Sequence, residues 1–158
     1  MSAEVRQLLS IIDAAYDHTS WHGTNLRGSI RGVRARQAAW RPAPGRHNIW
    51  ELVVHAAYWK YIGLRRLSGA RRGSFPIEGS NWFERGDRAI EKAWRTDVAL
   101  LDETHRALRD AVVTLSRRDL ARTPARSKVR NFTLLSGVAA HDLYHAGQIQ
   151  LLKRLAPG

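Results

Sequence analysis

The chain has 158 residues, enough for one domain with a buried core and too few for two typical ones. It contains no cysteine, which excludes disulfides, thiolate nucleophiles and sulfur-rich metal sites, so any bound metal must use nitrogen and oxygen ligands. Twenty-six lysines and arginines against 14 aspartates and glutamates leave a net charge of +12, a balance that favours polyanionic partners.

The opening MSAEVRQLLSIIDAAYDH lacks the basic start and apolar run of an export signal, and no stretch approaches the roughly 20 apolar residues that span a bilayer. We therefore expect a cytoplasmic single domain over 1–158 without membrane contact. Val5, Leu8, Leu9, Ile12 and Tyr16 recur at helical spacing behind Ser2, a fitting N-cap, and predict a first helix over 3–18. Between Trp21 and Pro44 the pattern loosens into a folded connection, with short helical pieces near Thr24–Val33 and Ala35–Trp40. Asn48 with Glu51 three residues on has the layout of a capping box, and opens a helix to about Leu67. Gly69 to Gly86 reads as a loop, after which Ala89, Ile90, Ala93, Trp94, Leu101, Leu108, Val112 and Leu115 trace a long helix ending near Ser116. A basic stretch, Arg117 to Arg130, leads to Asn131 as the next N-cap and a last helix ending close to Pro157. No strand is predicted. Four long helices joined this way describe an all-α four-helix bundle, in which sites are built from inward residues of facing helices.

Three histidines fall on the inward stripes. In the last helix Leu134, Val138, His141, His145, Gln148 or Ile149, and Leu152 recur at steps of three and four. His141 and His145, four apart, project from one face. In the earlier helix Leu52, His55, Trp59 and Ile62 form the equivalent row, so a second helix offers a third imidazole. Three neutral imidazoles leave a tetrahedral divalent ion one open position, the layout of a catalytic site, where an ion lowers the pKa of its water to about 7, polarises a carbonyl or holds a thiolate. The donor types suit zinc, nickel, copper and iron alike; we expect zinc or nickel. Asp142 stands where a zinc protease of the HExxH type has its glutamate, which excludes that assignment.

Other residues carry weaker signals. Gln148 reads as a rim residue that could also bond a ligand or substrate, and Asp97, which interrupts an apolar row, as a carboxylate that could steady a histidine or act as a base. Glu51 is explained by capping. His22 lies in a turn that could help line the pocket, whereas His18, His47 and His105 read as surface or helix-end residues. The tryptophans Trp21, Trp40, Trp50, Trp59, Trp82 and Trp94 read as core or pocket wall.

His55 in IWELVVHAAYWK, the pair in HDLYHAGQIQLLKR, and the segment SWHGTNLRG followed by AAWRPAPGRHNIWEL together resemble the DinB/YfiT-like superfamily of bacterial metal-binding four-helix bundles, over essentially the whole chain. The resemblance implies an up-down-down-up bundle with His55, His141 and His145 as metal ligands on its second and fourth long helices. It implies zinc or nickel with water completing the shell, and frequently a homodimer. It also implies a small-molecule substrate, since members of known activity include hydrolases and low-molecular-weight-thiol S-transferases. Nothing in the chain chooses between those two reactions. Two other readings compete. One is a nucleic-acid-binding stress protein using Arg65, Arg66, Arg71, Arg72 and the 117–130 stretch; nucleic acid is not the expected partner, because those charges sit at helix ends and loops and no recognition element is visible. The other is a purely structural ion, closed by a fourth ligand such as Asp97 or His22.

Overall fold

The computed structural model describes residues 1–71, 73–125 and 127–157, and within them every regular element is helical. Four helices are long: α1 (Ala3–Tyr16), α4 (Ile49–Ser68), α5 (Glu91–Val113) and α7 (Asn131–Leu155). Short pieces α2 (Leu26–Ser29) and α3 (Ala35–Ala39) fold inside the 20–45 connection, and α6 (Arg117–Ala121) precedes α7. None of the described helices is long and apolar enough to cross a membrane.

Side-chain pairs give the helix directions. Glu4 meets Arg117 just beyond α5, Asp13 meets Arg109, and Tyr16 meets Asp102, so α1 and α5 are antiparallel. Trp50 bonds Asp97 near the start of α5 while Gly63 lies against Leu108 farther along, so α4 and α5 run parallel. His55 meets His141 and His145, Lys60 meets Asp142, and Gly63 faces Val138, so α4 and α7 are antiparallel. The order is up-down-down-up.

A parallel α4–α5 pair obliges the chain to travel back along a helix of 20 residues, about 30 Å at 1.5 Å per residue. Segment 69–90 makes that return. Gly69, at φ +70°, ends α4 in the left-handed conformation that glycine adopts without a Cβ clash. Phe75 and Phe83 anchor the returning chain on Tyr58. At its far end the Arg85 carbonyl accepts from Asn48 Nδ2 at 2.8 Å, and Gly86 presses so closely on Ala39 that an added Cβ would lie 2.8 Å from the alanine Cβ.

The first long helix has only 14 residues, so α2 and α3 complete the layer that it leaves unfinished. Two apolar clusters result. One joins Leu8, Ile12, Leu108, Val112 and Leu135; the other joins Leu26, Ala38, Val53, Leu101 and Ile149. Polar residues separate them on each remaining helix: Lys60 between Ala57 and Leu64, His105 between Leu101 and Leu108, and Asp142 between Ala139 and Ala146.

Several local expectations are corrected. Ser2 and Asn48 cap α1 and α4 as expected, but Arg130 rather than Asn131 occupies the N-cap position of α7; Asn131 is buried and donates to the Asp119 carbonyl instead. Ser116 does not merely follow the third long helix: it forms a capping box with Asp119 and starts α6. Leu135, not Leu134, is the fully buried leucine of the α7 row. Trp21 is fully exposed on the α1–α2 connection, outside core and pocket, whereas Trp50 and Trp94 are core. His105, expected at the surface, is 3% exposed and stacks on Tyr16 with ring centres 3.5 Å apart, because Tyr16 ends the short α1 directly over it.

Candidate metal centre

The antiparallel crossing of α4 and α7 brings three ring nitrogens to one place. His141 Nε2 lies 3.0 Å from His55 Nε2 and 2.9 Å from His145 Nε2. Three nitrogens bound at 2.0–2.1 Å to a tetrahedral zinc stand about 3.3 Å apart, so each of these two pairs needs to open by only a few tenths of an ångström, and all three ligand atoms lie within 4.8 Å of one another. His55 and His145 are buried and His141 is half-buried. Among the described residues this group is the three histidines alone.

Each ring's outer nitrogen shows why the inner ones are available. His55 Nδ1 donates to the Asn81 carbonyl at 2.7 Å, leaving Nε2 with a lone pair. His145 Nδ1 faces Gln148 Oε1 at 2.6 Å, and an amide oxygen only accepts, so that Nδ1 also carries the hydrogen. A neutral His141 carries at most one hydrogen on Nε2, which can be directed at only one of its two neighbours, so at least one of these contacts of about 3 Å is left without a proper hydrogen bond. A cation among them removes the conflict, and the donor set fits a divalent ion.

Burial keeps the rings in their ligating form. It depresses His55 to about 4, against the opposing bond to Asn81, and His141 to about 3, helped by the neighbouring His145 and His55. His145 is depressed for the same reason, against its bond to Gln148. All three are therefore neutral near pH 7, and a metal has no proton to displace there.

The return segment 69–90 supplies the cover. Trp82 stacks on His55 with ring centres 3.8 Å apart, and its other face stacks on His47 at 3.6 Å. Asn81, at φ +64°, accepts from Trp59 through its side chain at 2.9 Å while its backbone carbonyl accepts from His55 Nδ1. Asn and Asp tolerate that conformation better than other non-glycine residues. Asn81 is the contributor that sequence reading missed, since loop residues carry no periodicity; Trp82 is the pocket wall expected of it. On the open side His141 is flanked by Trp59 and His145 by the exposed Tyr144.

The secondary candidates sort cleanly. Gln148 bonds His145 rather than standing free at the rim. Asp97 is not brought to the trio: its Oδ2 accepts from Trp50 Nε1 at 2.6 Å and lies 3.0 Å from Arg85 Nε, so it ties the α4 and α5 starts to the return segment. His22 is exposed beside Ser20 on the α1–α2 connection, far in sequence and partners from the pocket. Glu51 does more than cap. Its backbone N–H bonds the Asn48 side chain, but its carboxylate, instead of reaching back, pairs with Arg41 and His47 and accepts from the Arg85 N–H, and these partners hold it below the usual carboxylate range against burial. Asp142 points away from both rings, into a fully buried pair with Lys60.

The profile of the DinB superfamily matches residues 18–149, which include all three histidines. Comparison with curated proteins and with solved structures returned no match. That superfamily is a metal-binding one, and its profile covers most of this sequence. The chain belongs to the DinB superfamily.

Proposed function

We propose that this protein is a metal-dependent enzyme acting on a small molecule at His55, His141 and His145, as a hydrolase or a low-molecular-weight-thiol S-transferase. The observation that carries the reading is the placing of His141 Nε2 about 3 Å from the Nε2 atoms of both His55 and His145, with the lone pairs of those two fixed by partners on Nδ1. A divalent ion held there, zinc or nickel by donor type, supplies Lewis acidity and an open coordination position for a carbonyl or a thiolate. The remaining roles belong to the chain. Asn81 and Gln148 orient the rings, burial keeps them neutral, and Trp82 covers the His55 face against water. The half-buried side of His141 beside Trp59 is the approach for substrate.

A structural ion needs a fourth protein ligand, and the two residues considered for it, Asp97 and His22, are engaged elsewhere. That favours an open site. Protein purified without added metal is expected to carry about one divalent ion per chain, and His141→Ala or His145→Ala to lose it while staying helical. Metal-loaded protein screened against small-thiol conjugates and simple esters or amides then separates transfer from hydrolysis. Native protein free of bound metal, with competing ions controlled, would end the proposal.

A further inference from the structure

We infer that the end of the bundle where α4 finishes carries a second binding site, an arginine-lined pocket for a small molecule bearing a phosphate or carboxylate group. A cavity of about 320 Å³ opens there between Ile62, Arg65, Arg66, Arg71 and Ala125. No carboxylate of the described residues lines it. None of the three guanidiniums takes part in an ion pair among the described residues, although Arg27, Arg34, Arg41, Arg85, Arg95, Arg109 and Arg117 all do. Arg65 donates through Nη2 to the Arg71 carbonyl at 3.2 Å, which holds its guanidinium in place, yet its Nε is shielded and has no partner among the described residues. Aromatic faces fix the planes further: Arg65 lies 5.6 Å from the Tyr61 ring centre and Arg66 5.8 Å from that of Trp59.

The C-terminus of a helix attracts cations through its dipole, which accounts for basic residues near Ser68 but not for three of them around one concavity without an acid. Long-range charge favours the same end. Ala125 brings the 117–130 segment against 65–71, and the described residues of these two segments hold eight lysines and arginines against Asp119 alone, seven of the twelve net positive charges. Arg72 and Arg126 lie outside the described residues, and the pocket does not depend on them. Guanidinium forks match the oxygens of phosphate and carboxylate, and a cavity of this size takes a small ligand rather than a duplex.

The pocket also lies near the histidines. Trp59 is 5.8 Å from the Arg66 guanidinium and 6.4 Å from the His141 ring, so the two are no more than about 12 Å apart. On the function proposed above, the anion is the recognition end of the substrate, held by arginine while its other end reaches the imidazoles across Trp59. The pocket itself does not rest on that reading.

Calorimetric titration of metal-stripped protein with inorganic pyrophosphate and with citrate, near physiological salt, tests it. One-to-one binding is expected, with the tighter of the two naming the group. Arg66→Gln and Arg71→Gln should each weaken it at least tenfold, Arg66→Lys and Arg71→Lys by less, and the exposed Arg36→Gln not at all. The lysine variants keep the test alive if a glutamine variant fails to fold. Absence of binding of both anions, equal loss in Arg36→Gln, or a duplex oligonucleotide that binds more tightly and displaces pyrophosphate would each overturn the inference. Metal-free protein is used so that failure here leaves the three-histidine reading standing, and failure of that reading leaves this one.

Discussion

Lys60→Met is the perturbation that probes the centre of the bundle most sharply. The Lys60 ammonium is paired with Asp142 Oδ2 at 0% and 1% exposure, and Asp142 Oδ1 has no hydrogen-bond partner among the described residues. Methionine fills nearly the same space, so the loss is electrostatic: a carboxylate stays buried without its cation. Breaking such a pair from one side costs about 3–5 kcal/mol. For a domain of this length that lowers the midpoint temperature by roughly 6–20 °C and removes a large part of a stability of about 5–15 kcal/mol. Urea unfolding followed by circular dichroism is the assay, with the midpoint expected to fall at unchanged slope. Burial already raises Asp142 above the usual carboxylate range, against the pull of Lys60. In the variant the folded protein can escape by taking up a proton, so its deficit relative to wild type should shrink as pH falls. Removing both charges in Lys60→Met/Asp142→Leu should restore most of the stability. Because the pair fixes the register of α4 against α7 one turn from the crossing histidines, the double variant should still bind metal about tenfold more weakly. A single-variant loss under about 1 kcal/mol, or a double variant no more stable than the single, would refute the reasoning.

Gln148→Ala removes the acceptor on His145 Nδ1 and should weaken divalent-ion affinity about 10–100-fold in a competition titration, with little change in the urea midpoint of metal-free protein. Equal affinity would show that the bond does not set the tautomer. His105 predicts a pH dependence: burial depresses it to about 3, so between pH 6.5 and 3 the unfolded chain binds a proton that the folded chain refuses, and stability falls as pH is lowered through that window. At pH 5 this amounts to about 2 kcal/mol relative to pH 7. His105→Phe keeps a ring against Tyr16 and should flatten the slope by that amount; parallel profiles would count against it.

The long helices and the three facing imidazoles are legible in the sequence because they obey a period. His55, His141 and His145 sit where apolar residues recur at steps of three and four, and periodicity places such residues facing one another. Asn81 was not legible: it reaches His55 through a backbone carbonyl on a loop, and any residue type carries a carbonyl. His105 misled because burial there comes from the ending of α1 at Tyr16, a tertiary event with no local signal. Asp97 was rightly noticed as an interruption, but its partners Trp50 and Arg85 lie 47 residues before it in sequence and on the return segment, respectively. Glu51 had a sufficient local explanation in capping, which hid its longer-range use by Arg41.

The most direct measurement is an anomalous-difference map from crystals of the metal-loaded protein. One peak per chain is expected, about 2.0–2.1 Å from the Nε2 atoms of His55, His141 and His145, with Asn81 and Gln148 still bonded to the outer nitrogens. A peak elsewhere, or one that fewer than three of these rings ligate, would contradict it.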